Sequence, residues 1–276
     1  MTSVTPMTPR IPNPKSLIPA GANALVAALL APACAVCSAL LDEPLSGCVC
    51  AGCWQSILPI TPPMCDRCGD PLARQPQSLV PNPQSLARIP QVLCASCCVS
   101  DSIVSRARAI GEYEATLREI IHALKYSRRL SLARPLAERM RQRGTDLVDE
   151  VDYVVAVPLH WRREYQRGFN QAREIARYLG PPVVEALIRR RATRAQVELA
   201  ADRRRANVAG AFRLRRSWFR SPNLRGKKLM LIDDVSTTGA TLESCAEVLR
   251  AAGAAKVYAL TAARVVSKRV TSRPNP

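Results

Sequence analysis

Residues 229–249 read LMLIDDVSTTGATLESCAEVL. An apolar run with no polar break does not suit a strand with one face in water; it suits a parallel strand covered on both faces. The run passes directly into Asp233 and Asp234, then through Ser236, Thr237, Thr238, Gly239, Ala240 and Thr241 into a segment of helical spacing. In parallel sheets, ligands bind beyond the carboxyl ends of the strands. A loop that opens a helix there presents free N–H groups and the positive end of the helix dipole, which favour an anion. Gly239 permits close backbone approach, and the hydroxyls add donors. A phosphate monoester fits such a loop. The two carboxylates only accept hydrogen bonds, which suits ribose hydroxyls or water around Mg²⁺. A plain turn with a capping threonine explains single residues of this kind. Two acids followed by so many small and hydroxyl residues exceed what a turn needs. No GxxxxGK[ST] occurs, so a Walker-type loop is excluded.

The neighbouring segments repeat the pattern. YEATLREIIHALKYSRR (113–129) and LARPLAERMRQR (132–143) have helical spacing, and VDYVVAVP (151–158) reads as a buried strand. QAREIARYLG (171–180) predicts a helix with a glycine stop, 240–254 a helix, and 256–265 a strand. Alternation at these lengths implies α/β architecture with a parallel sheet.

Ten of the eleven cysteines fall between residues 34 and 98. They form four CxxC pairs: Cys34/Cys37, Cys50/Cys53, Cys65/Cys68 and Cys94/Cys97. Each pair supplies two thiolates to a tetrahedral Zn²⁺, so two structural four-cysteine sites are expected, in a reducing cytoplasm. Cys48 competes with Cys50 for its position, and Cys98 with Cys97. No histidine or carboxylate stands in a ligand position among them, which argues against catalytic zinc. Redox CxxC motifs come singly beside a βαβ unit, and these do not. Cys245, on the helix after the loop, reads as packing.

These signals divide the chain into a tail over 1–33, disordered and then a short helix, and a double zinc ribbon over 34–98. The ribbon has a flexible Pro/Gln-rich insertion at 71–91. A linker over 99–112 and an α/β domain over 113–276 follow. NALVAALLAPAC (23–34) reads as an amphipathic helix or as a short secretory signal. No run of 18 apolar residues offers a membrane span. The net charge of +18 attracts polyanions, or reflects a coding preference for arginine. Aromatics at 4% argue against a base-stacking platform.

LMLIDDVSTTGAT resembles the PRPP-binding signature of type I phosphoribosyltransferases. VPLHWRREYQRGFNQA (157–172), LKY (124–126), the 196–199 stretch and RRRANVAGAF (203–212), behind paired CxxC motifs, resemble the ComF family of competence-associated proteins. The resemblance implies a type I phosphoribosyltransferase-like domain preceded by the zinc ribbons. It also implies a role in DNA uptake or utilisation, and transfer of phosphoribosyl from PRPP with Mg²⁺ to an acceptor the sequence does not name. Asp233 and Asp234 would hold the ribose hydroxyls and, with Arg167, form the catalytic set. Ser236–Thr241 would hold the 5′-phosphate. Pro158, Leu159, Arg162, Arg163 and Arg167 would face the pyrophosphate. Lys125, Gly168, Phe169, Asn170, Gln171, Gln196, Arg203 and Asn207 complete the family motifs. One departure stands out: where purine-salvage members carry an aspartate inside the loop, this chain has Thr237. His122 reads as packing or surface, whereas His160 adjoins the pyrophosphate loop. The rival reading is a non-catalytic factor that handles single-stranded DNA through the zinc ribbons and the arginines at 189–194 and 203–205. In a third, the ribbons only dock a protein partner.

Overall fold

The computed structural model describes residues 20–72, 92–191, 210–215 and 223–266. The chain divides into two compact units, 1–55 and 56–276. In the first, helix α1 (Ala20–Leu30) precedes a turn that gathers four cysteines and is closed by the short helix α2 (Ala51–Gln55). The helix expected near residue 23 therefore forms, but it is not amphipathic. Asn23 is its one polar side chain, and Leu25, Leu29 and Leu30 are exposed.

The second unit begins with residues that fold along a sheet edge, then α3 (Ala95–Val99) and β1 (Val104–Glu112). Next come α4 (Ala115–Tyr126), α5 (Ala133–Arg143), α6 (Thr145–Val148) and β2 (Tyr153–Ala156). Helices α7 (Trp161–Arg167) and α8 (Gln171–Ala176) precede the antiparallel pair β3 (Leu187–Arg189) and β4 (Phe212–Leu214). The chain closes with β5 (Lys228–Ser236), α9 (Ala240–Ala251) and β6 (Lys256–Arg264). The main sheet has the order β1-β6-β5-β2 and is parallel throughout.

Both faces of the sheet are covered, as the apolar strands require. Leu229 and Leu231 of β5 pack with Leu242, Cys245 and Leu249 of α9 and with Phe212 of β4. The opposite face lies under α5 and α8, and Leu136, Ala137, Met140, Ala172 and Ile175 are buried there.

Most of the expected linker at 99–112 forms strand β1 (Val104–Glu112). Its alternating Arg106, Ala107, Arg108 and Ala109 lack the β-branched run of a central strand but suit an edge, where charges are tolerated. Arg106 reaches Asp146 at 3.0 Å and Glu150 at 2.6 Å. The outer side of β1 is closed by earlier chain: Ala107 N donates to Arg67 O at 2.7 Å, and Glu112 N to Leu58 O at 2.9 Å. A side chain at Gly111 would meet Leu58 O at 2.3 Å, so that approach needs glycine. The α/β unit thus starts well before residue 113. The second cysteine cluster lies in the same compact unit as the sheet. Of the expected insertion at 71–91, Pro71 and Leu72 pair back onto Met64 and Pro63. The remainder lies outside the described residues.

Candidate functional site

Successive residues of a strand point to opposite faces, so the two acids at the end of β5 straddle the sheet. Asp233 shares the face of Leu229 and Leu231. Asp234 shares the face of Met230 and Ile232, and it is buried. Lys125, at the end of α4, forms an ion pair with Asp234 Oδ2. Gln171, the first residue of α8, donates to the same oxygen at 3.2 Å. Arg167 in turn donates to Gln171 Oε1 at 2.5 Å and stacks over the Tyr126 ring at 5.5 Å. The backbone N–H of Val235 reaches Asp234 Oδ1 at 2.8 Å, and that of Asp234 reaches Asp233 Oδ1 at 2.9 Å.

The RGFNQ segment owes this placement to its own local structure. Gly168 takes a φ of +82° and ends α7. Asn170, buried, caps α8 by accepting from Ala172 N and Arg173 N, and it donates to Val157 O at 3.0 Å. That bond ties the turn to the strand end, so the side chain of Gln171 faces Asp234. Phe169 is half-buried between the two helices.

Burial raises the Asp233 carboxyl to about 6, against the opposing pull of Lys125 and Arg189. Burial also lowers Lys125 to about 8, partly offset by Asp233, while Arg167 and Arg163 push it further down. Arg189, on β3, joins this site only through the fold. Its guanidinium lies over Phe212 at 5.2 Å, and burial shifts it downward. Within a run of arginines it carries no signal of its own; only the β3–β4 pairing turns it inward.

The loop that would face pyrophosphate is partly helical. Pro158 and Leu159 are half-buried, and Arg162 and Arg163 lie exposed on α7, with Arg162 5.2 Å from the Trp161 ring. His160 is buried as the N-cap of α7, its Nδ1 accepting from Arg162 N at 3.4 Å. His122 is likewise engaged, its Nε2 lying 3.0 Å from the Tyr113 hydroxyl. Gln196, Arg203 and Asn207 lie outside the described residues.

Between Asp234 and α9, Ser236 is 5% exposed, and Thr237 and Thr238 are half-buried. Among the described residues, Ser236 Oγ and Thr238 Oγ1 are buried without a hydrogen-bond partner. Gly239 takes a φ of +78° and caps α9 with no side-chain bond, leaving Ala240 and Thr241 to open its first turn. A Cβ at Gly239 would meet nothing within 4 Å. Two orphaned hydroxyls, an uncapped 12-residue helix and open space above its glycine fit an anion. The turn borders a cleft of about 840 Å³.

Both cysteine clusters suit zinc. The Sγ atoms of Cys34, Cys37, Cys50 and Cys53, and those of Cys65, Cys68, Cys94 and Cys97, lie within 4.8 Å of one another. Four thiolates about 2.3 Å from a tetrahedral Zn²⁺ stand roughly 3.8 Å apart. Cys34–Cys53 measures 3.9 Å, and Cys37–Cys50 and Cys68–Cys94 each measure 3.7 Å. Cys48 and Cys98 stand outside the clusters, and Cys245 is buried under the sheet, its thiol raised by that burial. Among the described residues, no helix is long and apolar enough to cross a membrane.

Two family profiles match the chain: a phosphoribosyl transferase domain over residues 165–274 and a double zinc ribbon domain over residues 25–98. The DNA utilization protein YhgH of Salmonella typhimurium is 33% identical over 219 residues, covering 74% of this chain and 93% of that protein. Competence protein F of Haemophilus influenzae is 27% identical, covering 78% and 90%. The chain belongs to the ComF family. Its α/β fold is phosphoribosyltransferase-like, and a double zinc ribbon precedes it. An amidophosphoribosyltransferase of Escherichia coli is 31% identical over 139 residues, half of this ComF-family chain and 25% of the enzyme.

Proposed function

We propose that the chain binds PRPP or a related ribose 5-phosphate and acts in DNA uptake or utilisation, with transfer of phosphoribosyl to a nitrogen acceptor. The observation that carries this reading is the pair of orphaned hydroxyls, Ser236 Oγ and Thr238 Oγ1, directly beyond the two acids. Buried donors without partners cost stability unless a ligand engages them. The 5′-phosphate rests on Ser236–Thr241. Asp233 and Asp234 accept from the ribose hydroxyls and offer the carboxylate oxygens that Mg²⁺ takes. Bound there with PRPP, Mg²⁺ supplies charge neutralisation of the leaving pyrophosphate. Arg167, Arg163 and Arg162 flank the leaving group from the β2 side. In the transfer, the acceptor's lone pair forms a bond to C1, and the C1–O bond breaks with its electron pair leaving on pyrophosphate. The acceptor's proton passes to water.

A calorimetric titration with PRPP and Mg²⁺ tests this. The intact protein is expected to bind, and Asp233→Asn with Asp234→Asn is expected to lose binding. Equal binding by both overturns the site.

Direct handling of single-stranded DNA is favoured by a separate observation. Trp161 and Tyr165, 63% and 86% exposed, stand one helical turn apart on α7 beside Arg162. Stacking surfaces interleaved with arginine suit unpaired bases. The reading complements the first, since names of relatives speak of DNA utilisation and competence.

A further inference from the structure

The turn that follows β5 is anchored at both ends, and both anchors lead to the second cysteine cluster. At the strand end, Ser236 stands in register with Arg264 of β6. The next residue, Val265, donates through its backbone to Ser236 O at 2.8 Å. Arg264 Nε donates to Asp70 Oδ1 at 2.9 Å. Asp70 closes the Cys65–Cys68 knuckle, its carbonyl accepting from Cys65 N at 2.8 Å. The same guanidinium bears on Cys68, whose thiol burial raises and this charge lowers. At the helix end, Glu243, in the first turn of α9, accepts from Ile103 N at 2.9 Å and from the Ser102 hydroxyl. Those two residues follow closely on Cys97 and Cys98. Arg67, between Cys65 and Cys68, joins the halves of the cluster, donating to Cys97 O at 2.8 Å and Ser100 O at 2.9 Å. The knuckle is seated on the sheet: Gly69, at a φ of +71°, comes so near β1 that a Cβ there would meet Ala107 O at 2.7 Å.

We infer that the second knuckle positions the turn at 236–241. Asp70 and Arg264 are its positioning residues, and zinc at Cys65, Cys68, Cys94 and Cys97 and a sugar phosphate on the turn each tighten the other's binding. The inference rests on the ribose 5-phosphate reading of that turn. The buried hydroxyls of Ser236 and Thr238 serve an anion only while the turn holds them in place. A metal that joins both halves of the knuckle contributes its binding energy to whatever the knuckle orders. Linkage of this kind is reciprocal. The side chains of Asp70 and Arg264 are 30% and 13% exposed, more sheltered than a free surface pair, so loss of their contact is felt. Charge alone predicts the opposite result. Asp70→Asn removes an acid near the turn and releases a guanidinium beside it, and both changes favour an anion. Only a lost position weakens binding.

The test is a titration of the zinc-loaded full chain with ribose 5-phosphate. Asp70→Asn is expected to bind it about tenfold more weakly while keeping zinc at both clusters. Asp70→Glu restores the carboxylate and is expected to stay close to the parent. In the parent, saturating ribose 5-phosphate is expected to tighten zinc at one cluster about tenfold in equilibrium competition with a chromophoric chelator. Asp70→Asn is expected to abolish that protection. The competition on the parent needs no substitution, so it decides alone if the variant loses its metal. Unchanged or tighter ribose 5-phosphate binding by zinc-loaded Asp70→Asn, or zinc retention in the parent that ignores ribose 5-phosphate, overturns the positioning role and leaves the phosphate reading standing. Failure of the parent to bind ribose 5-phosphate overturns that reading and this inference with it.

Discussion

Asp233 is a costly residue to keep. Its folded value, about 6, lies above the ordinary carboxylate value near 4, so the folded state holds the proton more tightly than the unfolded chain does. Ionised Asp233 therefore works against folding. The penalty is absent below about pH 4, grows as pH rises to about 6, and is complete above that. Asp233→Asn removes it while retaining an oxygen for the Asp234 amide. The variant is expected to be more stable at pH 8 by roughly 1–3 kcal/mol, a gain that vanishes near pH 4. Denaturant titrations at the two pH values check this, and equal stability of variant and parent at pH 8 would contradict the burial argument. A stabilising loss of a charged side chain is the pattern expected where function is held at the expense of stability.

At the scale of elements, the edge strand β1 depends on what lies against it. Its outer N–H groups donate to chain within and ahead of the first half of the second cysteine cluster: Ala107 to Arg67, between Cys65 and Cys68, and Glu112 to Leu58. A structural zinc contributes folding free energy to a segment with few core residues. Replacing Cys65 and Cys97 by serine is expected to release that segment. Amide hydrogen exchange should then quicken at Ala107 and Glu112 by tenfold or more, and stay unchanged at Leu231, which lies in the middle of the sheet. Unaltered exchange at both edge positions would show that the knuckle is dispensable to the sheet.

At the scale of the molecule, the surplus of positive charge must meet something. If single-stranded DNA rests on α7, binding of an oligo(dT) falls steeply with salt, because each neutralised phosphate releases counterion with a logarithmic slope of about −0.7. Trp161→Ala with Tyr165→Ala is expected to weaken binding about tenfold or more without changing the slope. Arg162→Ala with Arg163→Ala is expected to flatten the slope by about one unit or more. A salt-independent affinity would reject a phosphate-led contact.

How far these properties were legible beforehand differs from residue to residue. The helices at 115–126 and 240–251, the strands ending at Ala156 and Ser236, and the pairing of CxxC motifs announce themselves through local periodicity and spacing. So does the turn at 233–241, because its acids, hydroxyls and glycine are consecutive. Strand β1 escaped, since an edge may carry arginines that a central strand excludes. The inward turn of Arg189 and the bond from Gln171 to Asp234 escaped as well, because each joins groups far apart along the chain. What the sequence by itself determined was local chemistry: which residues form strands, which thiols gather in fours, which loop lines up acids, hydroxyls and a glycine. Only the tertiary structure decided that Lys125 faces Asp234, that the second knuckle and the 236–240 turn line one cleft, and that His160 caps a helix. Local patterns are written in neighbouring residues, whereas the meeting of distant side chains follows from strand order and packing.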